Sequence, residues 1–142
     1  MKHLKSLIIC IFAATTLSLS AFELTPLQGI NGMWGYQNVS GVMVIKPKYD
    51  QARPFHEGLA AVCRDGKWGF INQQGRITVK LIYQACENYL NGYAVVKRDG
   101  KWGAVNSNGV EEVPCRFESP ADLQNLIVIT NGSEKTIMKA DD

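Results

Sequence analysis

Pairs of apolar segments separated by Asp-Gly recur along the centre of the chain. Residues 59–64 and 67–72 flank Asp65-Gly66, and residues 93–98 and 101–106 flank Asp99-Gly100. Segments of this length that are rich in β-branched and aromatic residues favour strands, and Asp-Gly suits a two-residue turn because both turn positions need a positive φ. The pattern predicts two β-hairpins.

Each predicted hairpin is followed by an asparagine and, three residues later, a glycine. These residues, at 72–75 and 106–109, predict a second chain reversal into a third strand, at 76–80 or 110–113. A connection of about ten residues then leads to the next unit. The sequence therefore predicts an all-β fold built from three-stranded antiparallel meanders.

The units repeat with a fixed period. Trp34, Trp68 and Trp102 are spaced by 34 residues. A glycine follows each tryptophan, at Gly35, Gly69 and Gly103. Self-similarity at a fixed period is the signature of an array in which each unit buries its apolar face against its neighbours. We place the repeats at about 31–64, 65–98 and 99–130.

The C-terminal segment looks like a degenerate unit that caps the array. Residues 126–130 and 133–138 predict two more strands, but Glu134 stands where the repeat has tryptophan. A terminal repeat faces water instead of a neighbour, so a charged last unit is expected, and residues 131–142 are assigned to this cap. Because three units are few for a closed propeller, we expect an open, twisted stack.

The tryptophans allow two interpretations. A buried Trp contributes a large apolar area, and a glycine beside it lets a neighbouring backbone approach, so the three Trp-Gly pairs are expected to form a structural spine. Exposed rings would instead offer a platform for sugar or peptide. The burial of the rings distinguishes the two.

The first 21 residues have the pattern of a secretory signal peptide. Lys2 and Lys5 precede an apolar run at 7–19, and small residues lead to a cleavage site between Ala21 and Phe22. The run is shorter than the roughly 20 residues that span a membrane, and no second one follows, so no transmembrane anchor is expected after cleavage. We expect residues 22–142 to be periplasmic or secreted.

Charge narrows the choice of partners. The full chain has 15 Lys and Arg and 13 Asp and Glu, and removal of Lys2 and Lys5 leaves 13 of each sign. Residues 46–101 hold ten basic and five acidic residues, whereas residues 111–142 hold three and seven. This asymmetry suits self-association or an acidic partner, but it is too small to predict nucleic-acid binding.

The mature sequence offers little chemistry. His56 is its one histidine, Glu111 and Glu112 are adjacent and hence on opposite faces of a strand, and no nucleophile has a recognisable base. We therefore expect no enzyme activity, no metal and no cofactor. Exposed groups that could contact a partner are Arg53, His56, Arg64, Arg76 and Lys80.

Three cysteines remain after cleavage: Cys63, Cys86 and Cys115. In an oxidising compartment two of the three could form a disulfide, with any pairing open, or all three could stay reduced. Cys63 aligns with Lys97 in the next repeat, so it is expected to face solvent. Cys86 and Cys115 align with small or apolar residues and are expected to be buried.

The repeated phrases resemble a known family. Asp-Gly-Lys-Trp-Gly-Phe-Ile-Asn at 65–72, its counterpart at 99–106, and Ile-Lys-Pro-Lys-Tyr-Asp at 45–50 are similar to the bacterial WG-repeat family, also called KWG repeats, over about residues 31–139. Met33, Leu81 and Cys115 depart from its pattern. The resemblance implies an all-β repeat fold in bacterial, often exported proteins that act as interaction scaffolds, and it transfers no catalytic residues.

Three functions follow as expectations. The first is a non-enzymatic exported scaffold for protein–protein interaction in the cell envelope, with an immunity or inhibitor protein as a specific version. The second is binding of glycan or cell-wall polysaccharide through exposed aromatic rings. The third is self-assembly into a longer stack.

Overall fold

The computed structural model describes residues 23–124, 126–131 and 134–139. The predicted signal peptide, residues 1–21, lies outside the described residues. The described part is almost entirely β-structure, as predicted, with a single helical turn, α1 (Ala121–Gln124). The strands are β1 (Thr25–Gln28), β2 (Trp34–Gln37), β3 (Met43–Tyr49), β4 (Gln51–His56), β5 (Leu59–Arg64), β6 (Lys67–Asn72), β7 (Ile77–Tyr83), β8 (Ala85–Cys86), β9 (Tyr93–Arg98), β10 (Lys101–Asn106), β11 (Glu111–Phe117), β12 (Leu126–Asn131) and β13 (Glu134–Lys139).

The strands form successive antiparallel meanders in chain order. Sheet A has the order β1-β2-β3, sheet B has β4-β5-β6-β7 and sheet C has β8-β9-β10-β11. Strands β12 and β13 pair with each other as a C-terminal hairpin. The prediction of an all-β fold of repeated antiparallel meanders is confirmed.

Sheets B and C contain a fourth strand that the sequence interpretation assigned to the connection. Strand β4 pairs with β5 through a turn at Glu57-Gly58, where φ is 54° and 77°. Asn91-Gly92 makes the same left-handed turn before β9, with φ of 53° and 83°. Each of these sheets therefore begins just after the preceding one ends, so that the Asp-Gly turns lie inside a sheet and not between units.

The last strand of each sheet is longer than predicted because it is bulged. In sheet B, Phe70 faces Val79 and Trp68 faces Tyr83, so two steps along β6 correspond to four along β7. Sheets A and C have the same shift between their last two strands. A bulge adds residues to one strand and bends it, which carries β7 to Tyr83 where a regular strand was expected to end at residue 80.

The sheets stack face to face, and sheet B is buried on both faces. Along β5, Ala60 and Val62 pack toward sheet A, whereas Leu59 and Ala61 pack toward sheet C. Successive residues of a strand point to opposite faces, so a strand between two apolar layers is apolar throughout. Layer AB is formed by Leu24, Tyr36, Ile45, Tyr49, Ala60, Val62 and Ile71. Layer BC is formed by Leu59, Ala61, Phe70, Val79, Tyr83, Cys86, Tyr89, Ala94, Val96 and Val105.

Aromatic pairs connect neighbouring sheets at equivalent positions of the repeat. Tyr36 of sheet A meets Phe55 of sheet B edge to face, with ring centroids 4.9 Å apart. One period later, Phe70 meets Tyr89 at 4.7 Å. The hydroxyl of Tyr36 donates a 2.7 Å hydrogen bond to the Arg53 carbonyl, so the polar group of this buried side chain has a hydrogen-bond partner. The repeat thus encodes the contact between neighbouring sheets as well as the sheet itself.

Among the described residues, no helix is both long enough and apolar enough to cross a membrane.

Candidate interaction surfaces and the contacts between sheets

Each glycine of the Trp-Gly pairs makes room for the bulge of the next strand. A Cβ on Gly69 would lie 2.4 Å from the Val79 carbonyl oxygen and 2.8 Å from the Leu81 nitrogen. A Cβ on Gly35 or Gly103 would meet the equivalent backbone atoms at 2.2 Å or 2.4 Å. These distances are far below van der Waals contact, so a side chain is excluded at all three positions. The bulge of the last strand therefore requires a glycine at this position of the neighbouring strand.

The three tryptophans are half-buried. The Trp68 ring packs against layer BC, and the Trp102 ring packs against a third apolar cluster formed by Ala104, Val113 and Leu123. The guanidinium of Arg53 stacks over Trp68, 4.3 Å from the ring centroid, and Lys97 lies 5.7 Å from the centroid of Trp102. A cation over an indole face is a favourable contact. The rings therefore combine packing with a partly open edge.

The repeated asparagine organises the second turn of each unit. The side-chain oxygen of Asn72 accepts hydrogen bonds from the backbone nitrogens of Gln74 at 3.1 Å and Arg76 at 2.9 Å. Asn38 and Asn106 make the same pair of bonds in sheets A and C. Gly75 completes the turn with φ of 80°. The Asn-x-x-Gly signature is therefore accounted for by the backbone of the turn.

Arg53, which the sequence placed on the interaction surface, links sheets B and C. Besides stacking on Trp68, its Nη1 donates a 2.8 Å hydrogen bond to the carbonyl of Cys86 on β8. Its side chain is only partly exposed. Much of its bonding capacity is used inside the protein, so it offers less to a partner than the sequence suggested.

The other four predicted surface residues are exposed but do not form one cluster. Arg64 precedes the Asp-Gly turn at one end of sheet B, whereas His56 and Arg76 lie at the other end, next to the Glu57-Gly58 turn and the Asn72 turn. His56 and Arg76 also belong to opposite edges of the sheet, since β4 and β7 are its outermost strands. Lys80 lies within β7. The structure brings Arg76 and Lys80 to the same strand region and leaves the others apart.

A set of exposed side chains on the outer strands was missed in the sequence. Strands β3 and β7 are the last strands of sheets A and B, and both have an unpaired edge among the described residues. The exposed residues within these two strands are Val44, Lys46, Lys48, Ile77, Lys80 and Ile82. Together with the exposed Arg76 directly before β7 and Asp50 directly after β3, we call them the outer-edge patch. The signal that could have found it is the alternation of polar and apolar residues along 43–49, where Lys46 and Lys48 point away from the buried Ile45 and Tyr49.

A polar network connects sheets B and C between Tyr83, the last residue of β7, and Glu111, the first residue of β11. The carboxylate of Glu111 accepts two hydrogen bonds from Arg98, at 2.9 and 2.8 Å, and one from the Tyr83 hydroxyl at 2.9 Å. The hydrogen bond from Arg98 lowers the pKa of Glu111. The pKa of Tyr83 is raised, mainly by burial and in second place by its hydrogen bond to the Glu111 carboxylate. A bidentate Arg–carboxylate pair is among the stronger ionic contacts in proteins. This network holds charged groups between sheets without leaving them unpaired.

The exposure expected for Cys63 is wrong. Its side chain is 3% exposed, because it points from β5 into the space between sheets B and C, opposite Trp68. Cys86 is also buried, as expected, and Cys115 is partly buried; all three are free thiols in this structure. Burial raises the pKa of Cys86 to about 11 and also raises the pKa values of Cys63 and Cys115. Thiols of this kind react slowly, because the thiolate is the reactive form.

Across the part of the chain that the structure describes, no group of three or more His, Cys, Asp or Glu side chains is arranged to hold a metal ion.

Comparison with known proteins identifies the repeat at the centre of the chain. Residues 34–68 and 68–102 each match the family model described as WG containing repeat. The two matches run from tryptophan to tryptophan and cover β2 to the start of β10. No curated protein and no solved structure is significantly similar to the chain.

Proposed function

From the two WG containing repeats at its centre, we propose that this chain is a non-enzymatic exported scaffold that binds another protein in the bacterial cell envelope. The observation that carries the proposal is the outer-edge patch. Within β7 it combines exposed Ile77 and Ile82 with Lys80, and within β3 it combines exposed Val44 with Lys46 and Lys48. Mixed apolar and charged surfaces of this kind mark sites of protein interaction.

The division of labour within the repeat supports the same proposal. The residues that recur with the 34-residue period have internal roles: glycine admits the bulge, asparagine forms the turn, and the aromatic pairs join the sheets. The exposed positions of the outer strands differ between units, with Lys80 in sheet B where sheet C has Pro114. A common framework with variable exposed positions suits a scaffold whose surface is adapted to one partner.

A specific form of the proposal is an immunity or inhibitor protein that neutralises a toxin in the envelope. Such a protein would present its exposed charged side chains to the toxin. This form predicts that the recovered partner is a toxic protein and that it loses activity in a stoichiometric complex.

The test is an affinity capture of the full chain, tagged at its C-terminus and expressed in the organism it comes from. Envelope proteins that co-purify are identified by mass spectrometry, and the stoichiometry of the complex is measured by light scattering. One protein recovered at a fixed ratio supports the proposal. Recovery of glycan fragments alone, or of this chain alone as a larger assembly, would contradict it in favour of sugar binding or self-assembly.

Export is tested in the same preparation. The intact mass of the protein from the envelope fraction should correspond to a chain that begins at Phe22. A full-length mass in the cytoplasmic fraction would contradict export while leaving the scaffold proposal to the capture experiment.

A further inference from the structure

Sheet A lacks the fourth strand that sheets B and C have. In sheet B, β4 pairs with one edge of β5, and in sheet C, β8 pairs with the same edge of β9. Strand β1 takes the place of β5 and β9 in sheet A, because it pairs with β2 as β5 pairs with β6. No strand of the described chain pairs with the other edge of β1, which we call the free edge.

The backbone groups along the free edge point outward. The Gly29 nitrogen donates a 2.8 Å hydrogen bond to the Met33 carbonyl, so the backbone of residue 29 faces β2. Backbone groups of successive residues in a strand point in opposite directions. The N–H and C=O groups of Leu24 and Gln28 and the C=O of Pro26 therefore face away from β2.

Sheet B shows how a strand pairs with such an edge. Cys63 faces Trp68 as Gln28 faces Trp34, and the Cys63 carbonyl accepts a 2.8 Å hydrogen bond from the Asp50 nitrogen just before β4. Sheets A and B are joined by the same kind of aromatic pair as sheets B and C. The place beside β1 therefore has the same surroundings as the place that β4 fills beside β5.

Pro26 is compatible with an added strand. Its counterpart in sheet B is Ala61, since each residue faces the aromatic residue two positions after the tryptophan. The register of β4 shifts at this point, so that Arg53 and Pro54 together lie opposite Ala61. A proline is tolerated where a ladder is irregular.

The tryptophan of sheet A has an open ring. Arg53 reaches from β4 across β5 to stack on Trp68, and Lys97 lies over Trp102. Both of these tryptophans also pack against apolar clusters, whereas Trp34 is in none of them. Among the described residues, no cation or aromatic ring stacks on Trp34. A strand on the free edge would place a side chain over this ring, as β4 places Arg53 over Trp68.

The segment of this chain that matches β4 is part of the predicted signal peptide. The turn at Glu57-Gly58 joins β4 to β5, and the corresponding positions before β1 are residues 22–23. The corresponding strand would fall at residues 16–21, which lie outside the described residues. Export with cleavage before Phe22 removes this segment, so the exported chain has nothing of its own to pair with the free edge.

We propose that the free edge of β1 binds an extended segment of a partner protein, which pairs antiparallel with β1 as the fourth strand of sheet A and places an arginine or lysine side chain on Trp34. In strand addition, main-chain hydrogen bonds supply affinity and the side chains of the added strand supply specificity. A cation over an indole is a contact that sheets B and C already use. The inference rests on the proposed export and scaffold function and adds a binding site on the edge of sheet A opposite β3.

A second copy of this chain is a poorer occupant than a partner protein. Two free edges paired around a two-fold axis would bring Pro26 of both copies into one four-residue ladder. Neither copy would supply a cation, because β1 contains no lysine or arginine. A partner strand with a basic residue satisfies both the edge and the ring.

The first test uses a synthetic peptide of residues 49–57, which contains β4, as the added strand. The protein is purified from the envelope fraction, and NMR hydrogen exchange locates the bound peptide. At a peptide concentration about ten times the dissociation constant, the amides of Leu24 and Gln28 should exchange about tenfold more slowly. The amides of Thr25 and Leu27 already face β2 and should not change.

A peptide with citrulline in place of its arginine tests the contact with the ring. Citrulline keeps the shape of the side chain but removes its charge, so we expect binding about threefold weaker. The difference should vanish in Trp34→Leu and persist in the control Trp102→Leu, which makes the same change in sheet C. Circular dichroism verifies the fold of both variants, and the comparison of the two peptides on the natural protein needs no variant.

Photo-cross-linking identifies the occupant in the envelope extract. Benzoylphenylalanine in place of the exposed Thr25 should join the full chain to an extended segment of the captured partner that contains arginine or lysine. The same amino acid in place of Lys67, which is exposed at the Asp-Gly turn of sheet B, should not cross-link the partner.

The outcomes separate this inference from the proposed function. If a partner is captured but the peptide leaves exchange of Leu24 and Gln28 unchanged, or the partner cross-links at Lys67 and not at Thr25, the strand site is wrong and the scaffold stands. If Thr25 cross-links only to a second copy, self-pairing replaces the partner strand. If the purified chain retains residues 1–21, or if no protein is captured, the inference falls together with the proposed function.

Discussion

A single glycine decides whether the last strand of a sheet can approach its neighbour. Gly69 has no positive φ, so its backbone conformation is open to any residue. What excludes other residues is the carbonyl of Val79, 2.4 Å from the place of a Cβ. The obstacle is backbone and not the flexible end of a side chain, so it cannot move aside without disrupting the bulge.

We therefore expect Gly69→Ala to lower the free energy of unfolding by about 2–3 kcal/mol, the cost of overpacking a site that cannot relax. Gly66→Ala is the matched control, because Gly66 has open space around it but a φ of 75°. Its cost should be about 1 kcal/mol, from the left-handed backbone alone. Urea unfolding followed by Trp fluorescence measures both, and equal costs would contradict the steric explanation.

The repeated asparagine makes a second prediction at the same scale. Asn72→Ala removes an acceptor for the backbone nitrogens of Gln74 and Arg76 and should cost about 1–2 kcal/mol of unfolding free energy. Asn72→Asp keeps an oxygen at the same place and should recover most of that loss at pH 7. If Asp behaves like Ala in urea unfolding, the hydrogen bonds to the turn are not what the asparagine contributes.

The sequence revealed these residues but not all of their surroundings. The fixed period identified Trp68, Gly69 and Asn72 as structural, since chance does not place them in register. It did not predict the burial of Cys63. Cys63 aligns with Lys97, but a lysine can occupy a position between two sheets because its long aliphatic stem carries the charge out to solvent. Arg53 was misjudged for a related reason: a long charged side chain can turn inward when a ring and a carbonyl are both within its reach.

At the scale of elements, the strands around Asp65-Gly66 and Asp99-Gly100 were predicted to the residue, and the fourth strand was missed. The dipeptide Asn91-Gly92 is a strong hairpin signal and could have revealed it. Its counterpart Glu57-Gly58 is a weaker signal, and Pro54 within β4 argues against a strand. Proline is tolerated there because β4 is an edge strand. The bulges were invisible in the sequence, since they arise from packing against glycine.

The network around Glu111 makes the joint between sheets B and C sensitive to acid. The hydrogen bonds from Arg98 depress the pKa of Glu111 in the folded protein below the value of about 4.3 expected in the unfolded chain. A carboxyl with a depressed folded pKa contributes stability that is fully present above its unfolded pKa. That contribution is lost as the pH falls through the folded pKa.

We therefore expect Glu111→Gln to be less stable than the natural protein at pH 7, with the difference shrinking below about pH 4.3 as the natural carboxyl takes up its proton. Urea midpoints at pH 7, 5, 4 and 3 measure this convergence. Glu87→Gln, at an exposed position near the start of sheet C, is the control and should track the natural protein throughout. A difference for Glu111→Gln that stays constant down to pH 3 would rule out the ionic contribution.

At the scale of the whole molecule, the core of the array is divided into separate layers. Phe70 and Ile71 are neighbours on β6, yet Phe70 packs in layer BC and Ile71 in layer AB. Both side chains are fully buried. In an array of this kind, interactions reach only the adjacent unit, so damage should be local to the layer in which it is made.

Cys86 reports on layer BC alone. We expect Phe70→Ala to accelerate labelling of Cys86 by a thiol reagent at least tenfold more than Ile71→Ala does. The two variants are compared at urea concentrations that give them equal global stability. The reason is that Phe70 packs in layer BC together with Cys86, whereas Ile71 packs in layer AB. Mass spectrometry of quenched samples gives the rate for each cysteine. Equal acceleration by both variants would indicate that the protein opens only as one cooperative unit.

The strand order within each sheet also bears on how the protein is made. Among the described residues, every pairing joins strands that are consecutive in the chain, as in β4-β5-β6-β7, so each sheet is built from one short continuous stretch, residues 51–83 in sheet B. Domains with mostly local contacts fold quickly, and chains generally fold from the N-terminus during synthesis. Sheet A can therefore form on the emerging chain and serve as the template on which sheet B assembles, as sheet B then does for sheet C.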